Sequence, residues 1–176
     1  AAAIVARLHA GQTDKQGRPY VRWHLVPVAY ALAPFGPLAE IAGLFHDTPE
    51  DTDETLASLL DRDVPETSVA AVAAVTRSPR ETYANLIDRS CEHFLGCLVK
   101  LADNTLNLHS NEALANRDPE TAHSLRDGRY LPARARLLTA AAGHGHDPAA
   151  LLMVFQRRIA VAMGDGFVVP YDLGQW

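Results

Sequence analysis

The chain has 176 residues, 48% hydrophobic and 21% charged, which is enough to bury a core without disulfide or metal staples and excludes wholesale disorder. Lys and Arg number 16 against 21 Asp and Glu, and the resulting net charge of -5 argues against a nucleic-acid partner. The acidity is concentrated: Asp47 to Glu66 holds eight acidic residues and one Arg, leaving 13 acidic and 15 basic residues elsewhere. Like charge so crowded costs stability unless cations offset it.

Cys91 and Cys97 are too few for a disulfide framework and lack metal spacing, so both are expected reduced and half-buried on a helix. The longest apolar candidate for a membrane span, Val26 to Ala39, is broken by Pro27, Pro34, Gly36 and Pro37. The N-terminus has no charged start and reads as helix interior, so a cytoplasmic protein with no membrane partner is expected.

Periodicity predicts helices and no strand. Ala2 to His9 is Ala-rich and closed by Gly11; Gln12 to Val21 is a polar loop; His24 to Ala33 is apolar and helical, with Pro27 acceptable only near its first turn. Pro37 opens a helix in which Leu38, Ile41, Ala42 and Phe45 recur at steps of three and four. Pro65 to Thr76 and Pro79 to His93 each begin with Pro, as first helical positions do. Leu95 to Leu108, Glu112 to about Leu138 with a break near Gly128, and Pro148 to Met163 follow, and 167–176 reads as a tail docked by Trp176. Residues 1–176 therefore read as one all-α domain, with its motifs in 1–108 and additional helices in 112–163.

The acidic segment opens Phe45-His46-Asp47-Thr48-Pro49-Glu50-Asp51-Thr52, which holds one imidazole and three carboxylates within two turns. A solvated acidic helix end and a metal site both account for it. A second segment, Val99 to Asn107, places Lys100, Asp103 and Asn107 on one polar stripe of an otherwise apolar helix. A buried Asp there needs a cation or an ion pair, and pairing with Lys100 is the alternative to metal ligation. His24 stands at the head of its helix, after the polar loop. Together His24, His46, Asp47 and Asp103 supply two imidazoles and two carboxylates, a set suited to Mn²⁺, Fe²⁺ or Zn²⁺. Glu50 and Asp51 are then placed to orient water or protonate a leaving group.

The order His24, His46-Asp47, Asp103 resembles the HD-domain phosphohydrolases. The text around it is similar to the hydrolase domain of the RelA/SpoT family and its small stand-alone relatives. The resemblance is carried by His9-Ala10-Gly11-Gln12, Gly17-Arg18-Pro19-Tyr20, His46-Asp47-Thr48-Pro49-Glu50-Asp51-Thr52, Val75-Thr76, and Val99-Lys100-Leu101-Ala102-Asp103 with Asn107. It implies the HD-domain helical bundle and a Mn²⁺-dependent hydrolase removing the 3′-pyrophosphate of guanosine tetra- or pentaphosphate. It further implies that His24, His46, Asp47 and Asp103 bind metal, that Glu50 and Asp51 are catalytic, and that Asn107 and Lys15 contact the nucleotide.

The chain departs from that pattern in two places. The family's Arg before the lysine, which stacks on guanine, is replaced by Thr13-Asp14 ahead of Lys15, leaving Trp23 or Arg18 as alternative stacking faces. The usual His-Pro pair is His24-Leu25, and the segment between Tyr20 and His24 is one residue longer. Downstream, Arg117, Arg126, Arg129, Arg134 and Arg136 are candidate phosphate partners, Arg129 beside Tyr130 foremost, and Lys100 joins Lys15 as a substrate contact. His144-Gly145-His146 reads as a loop between helices, with adventitious metal binding the alternative.

Four readings stay open: alarmone hydrolysis; phosphatase action on a nucleoside phosphate, NADPH or a phosphorylated specialised metabolite; a di-iron oxygenase on the same fold; and a nucleotide sensor without catalysis. The sequence leaves the oligomeric state open.

Overall fold

The computed structural model describes residues 1–174, so the expected docking of Trp176 lies outside the described residues. Its axis is α8, Phe94–Ala115, a helix of 22 residues and roughly 33 Å. Over its first three turns nearly every side chain is buried, from Leu95 through Leu106, because helices pack on it from several directions. The imidazole Nδ1 of His93 caps it, accepting the Gly96 N–H at 3.0 Å. Around it run α1 (Ala2–Leu8), α2 (Val26–Leu32), α3 (Pro37–Phe45), α4 (Thr48–Asp51), α5 (Leu56–Asp61) and α6 (Glu66–Val75). After them come α7 (Tyr83–Glu92), α9 (Pro119–Leu125), α10 (Leu131–Gly143) and α11 (Pro148–Ala162). No strand forms among the described residues, and the all-α bundle expected from periodicity is the fold. No described helix is long and apolar enough to cross a membrane.

Several boundaries move for identifiable reasons. His24 does not head its helix; the chain turns helical at Val21 and passes through a π turn, Val21–Leu25, into α2. That turn closes with the Val26 N–H on the Val21 carbonyl, and the wider ring accommodates Pro27, which lacks an N–H. The same device recurs at Arg126–Tyr130, ahead of Pro132, so the chain stays helical through Gly128. The break falls instead at Asn116–Asp118, where the Asp118 carboxylate caps Thr121 and Pro119 takes the first helical position. Pro79 does not open α7; Thr82 caps it through the Asn85 N–H. Helix α5, unmarked by apolar periodicity, is set by a capping box between Thr55 and Ser58. Cys97 is buried and Cys91 half-buried, both on helices and both free thiols.

The approach of α2 to α3 fixes the distance between their histidines. Gly43 makes it possible: a Cβ there would stand 2.7 Å from Leu32 Cδ1 and 3.0 Å from the Ala29 Cα. One of those neighbours is backbone, so the helices themselves would have to part. Gly43→Ala is expected to cost about 1–3 kcal/mol of stability, read as a lower urea midpoint; an unchanged midpoint would show that the interface yields freely.

Candidate metal and phosphate site

Where α2, α3 and α8 meet, His24, His46 and Asp103 bring one ligand atom each to within 4.8 Å of one another, a cluster able to hold a metal ion. Asp47, at the junction of α3 and α4, adds a fourth: its Oδ2 lies 3.0 Å from His24 Nε2 and 2.9 Å from His46 Nε2. Asp103 Oδ1 stands 3.6 Å from the first imidazole and 3.9 Å from the second. Three of the four residues gathered from sequence therefore share one cluster, and Asp47 adjoins it through the two imidazoles.

Their orientation is enforced by the surroundings. His46 is 1% exposed and donates Nδ1–H to the Gly43 carbonyl at 2.8 Å, which turns the Nε2 lone pair toward the carboxylates. That Nε2 is buried and makes no hydrogen bond of acceptable geometry despite its closeness to Asp47. A bare lone pair beside a carboxylate is repulsive, so a proton or a metal ion must lie between them. The Tyr20 hydroxyl donates to Asp47 Oδ2 at 2.5 Å, and its ring stacks on His24 with centroids 4.8 Å apart and 12° between planes. The first π turn, Val21–Leu25, carries His24 into the cluster.

Asp103 is held by Lys100 Nζ at 3.0 Å on Oδ2 and by Asn107 Nδ2 at 2.5 Å on Oδ1. The ion pair with Lys100 raised from the sequence is thus present, and it leaves Oδ1 facing the imidazoles. Burial pushes His46 down, but Asp47 and then Asp103 outweigh it and raise its pKa to about 9. Burial opposes ionisation of Asp47 and Asp103, yet His46 holds the first, and Lys100 the second, below the ordinary carboxylate range. Burial would deprotonate Lys100, and the Asp103 and Asp47 carboxylates reverse that and raise it.

Pro49 splits the acidic segment and starts α4, carrying Glu50 and Asp51 to the rim of the same cavity. His9 and Gln12 pin this short helix. The His9 Nδ1–H donates to Gln12 Oε1 at 2.7 Å, and its Nε2 accepts from the Thr48 hydroxyl at 3.1 Å. Gln12 Nε2 donates to the Asp51 carbonyl at 2.8 Å. Glu50 Oε1 accepts the Arg77 N–H at 2.7 Å from the α6–α7 connection, which Arg89 braces through the Thr76 carbonyl and Glu81. Loss of solvent around Asp51, and then the Asp47 carboxylate, push its carboxyl up.

The cavity has a volume of about 370 Å³. Its walls include Lys15, Lys100, Asn107 and Arg129, so all four sequence-proposed substrate contacts face one space. Arg129 stacks over the Tyr83 ring at 4.0 Å, and Lys15 Nζ donates to the Tyr130 hydroxyl at 3.5 Å. Tyr83 was missed, since a lone aromatic on an amphipathic helix carries no signal. Arg117, one candidate among five, reaches the same wall and donates to the Lys15 carbonyl at 3.4 Å. Trp23 lines the cavity with the Arg18 and Arg22 guanidiniums each 4.4 Å from its ring, whereas Arg18 is tied to Asp14. Arg136 pairs with Asp88, and Arg126 and Arg134 lie elsewhere. His144 and His146 do not form a metal cluster among the described residues; one donates to the Cys91 carbonyl and the other stacks on Phe94.

No family model matches the chain. The chain is similar to a GTP pyrophosphokinase from Streptomyces coelicolor. Identity is 30% over 128 residues, 66% of this chain and 15% of that enzyme, so the chain spans a small part of its relative's length.

Because metal must displace the proton on His46, divalent-cation binding below pH 9 is expected to release about one proton and to tighten about tenfold per pH unit up to that value. Calorimetric Mn²⁺ titration in buffers of different ionisation enthalpy checks this, and a pH-independent affinity would contradict it.

Proposed function

We propose that the chain is a metal-dependent phosphohydrolase of a nucleotide-like substrate, with guanosine-3′,5′-bis(diphosphate) 3′-pyrophosphohydrolysis its leading activity. The observation that carries this is the cavity floor of His24, Asp47 and Asp103, backed by the buried His46 Nε2 2.9 Å from Asp47 Oδ2, under walls that include Lys15, Lys100, Arg117 and Arg129. Such a floor suits a cation and such walls suit phosphates. His24, His46, Asp47 and Asp103 would hold the ion, Mn²⁺ with Fe²⁺ and Zn²⁺ as alternatives. The name of the Streptomyces relative couples GTP with pyrophosphoryl transfer, which supports a guanosine pyrophosphate as substrate class. The resemblance to RelA/SpoT-type hydrolase domains supports water as the acceptor.

A bound divalent cation supplies Lewis acidity toward the phosphoryl oxygens and lowers the pKa of water. The protein's own part is to orient and to move protons. Water attacks the phosphorus attached to the 3′ oxygen, the P–O3′ bond breaks, and pyrophosphate departs. The proton lost by water passes to the Glu50–Asp51 pair, and the 3′ oxygen receives one in turn, so the pair ends as it began. Lys15, Arg117 and Arg129 offset phosphate charge, and Asn107, anchored on Asp103, holds the nucleotide against α8.

The absence of an Arg beside Lys15 favours a second substrate: another nucleoside phosphate, NADPH or a phosphorylated metabolite. A panel of nucleotide phosphates incubated with Mn²⁺ and separated by anion exchange decides. Consumption of guanosine tetraphosphate supports the leading activity; turnover of another member alone transfers the mechanism to that substrate. Binding without turnover of any member would indicate a sensor. Asp103→Ala is expected to lose metal and turnover together. Glu50→Ala is expected to retain metal and lose about 10²–10⁴-fold in rate, and full metal occupancy in Asp103→Ala would overturn the ligand assignment.

A further inference from the structure

Behind α8, away from the metal cluster, a second cavity of about 660 Å³ opens between α8, α10 and α11. Its size falls in the range of small-molecule sites. Two guanidiniums reach it, Arg126 from the second π turn and Arg134 from α10. Among the described residues, no carboxylate lies within 4.0 Å of Arg134, whose Nε donates to Asn104 Oδ1 at 3.2 Å. The nearest carboxylate to Arg126 is its exposed neighbour Asp127 at 3.7 Å. Asn111, 7% exposed, lies between the two cavities and lines both. Its Nδ2 donates to the Ala122 carbonyl at 3.0 Å, while its Oδ1 is buried with no donor. Leu131 and Ile159 supply apolar wall, and Glu112 is the one acidic side chain lining the cavity.

We infer that this cavity is a second ligand site for a phosphate monoester whose body carries a hydroxyl or N–H donor, such as a sugar phosphate or nucleoside monophosphate. The two guanidiniums suit the phosphate, since Arg presents a fork of donors matched to its oxygens. Glu112 calls for a donor on the ligand, and the apolar wall calls for a body larger than the ion.

The site is joined to the front cavity through a short chain of contacts. Asn104, next to Asp103 on α8, accepts from Arg134 and donates Nδ2 to the Tyr130 carbonyl at 2.9 Å. Tyr130 in turn carries the hydroxyl that receives Lys15. An anion drawing Arg134 away from Asn104 therefore acts on the residue that positions Lys15, so ligand in the rear cavity modulates the front one.

Amide correlation spectra of the whole chain, recorded metal-free during titration with ribose 5-phosphate, guanosine 5′-monophosphate or inorganic phosphate, test the inference. Neither metal nor turnover enters the measurement, so its outcome is independent of the proposed hydrolysis. The expected result is saturable shifts at residues that line the rear cavity alone, Leu108, His109, Glu112, Leu131, Arg134 and Gln156, propagating to the Lys15 loop, with at least one of the two organic phosphates; which one binds identifies the body. Arg134→Gln and the exposed Arg126→Gln are each expected to weaken that binding tenfold or more, and the second carries the test should the first not fold. Three outcomes overturn the inference: no shift with any probe, an equal response to inorganic phosphate, or shifts confined to the front wall, 13–16, 47–51, Asn107, Arg129 and Tyr130, that persist in both variants.

Discussion

The packing of this molecule converges on one electrostatic constraint: two carboxylates and two imidazoles are forced together at the junction of α2, α3 and α8. Lys100 offsets Asp103, whereas no Lys or Arg among the described residues pairs with Asp47, which lies against the two imidazoles. The interior tolerates such a group only if something positive resides there. In the metal-free chain that role falls to a proton held on His46 up to about pH 9. A divalent ion replaces it with greater charge. The net charge of -5 arises in the segment Asp47 to Glu66, whose leading carboxylates Asp47, Glu50 and Asp51 line this cavity, while the chain outside that segment is slightly basic.

The fold serves that junction through close approach and anchoring. Gly43 does both, admitting α2 against α3 and offering the carbonyl that selects the His46 tautomer. The first π turn brings Tyr20, Trp23 and His24 around one side, the tyrosine on Asp47 and the tryptophan on the cavity wall. His9 and Gln12 hold α4 from α1, while Arg77 and Arg89 steady Glu50 from the other flank. Most polar residues near the cavity thus have a partner that fixes them, and rigid placement is what lets a site act on a small, highly charged ligand.

The helical class was legible because Leu38, Ile41, Ala42 and Phe45, or Leu98 and Leu101, repeat at helical steps, and all but the exposed Leu38 face the core or its edge. The proposed metal ligands were legible only from the two segments read together and from the resemblance they carry, since His46-Asp47 or Lys100-x-x-Asp103 alone has ordinary structural uses. What escaped depended on geometry between distant segments. Tyr83 meets Arg129, and Asn104 links Arg134 to Tyr130, only because α7, α8 and α10 lie side by side. The π turns escaped because Pro27 suggests a helix start and Gly128 a break, whereas a widened turn keeps the chain helical through both. Helix α5 escaped because its signal is a cap and not a period.

The central claim, that one cation sits between these four groups, is tested most directly by anomalous diffraction from crystals soaked in Mn²⁺. The account predicts a single strong peak about 2.0–2.2 Å from His24 Nε2, His46 Nε2 and the carboxylate oxygens of Asp47 and Asp103. A peak elsewhere on the surface, with the junction bearing none, would contradict it.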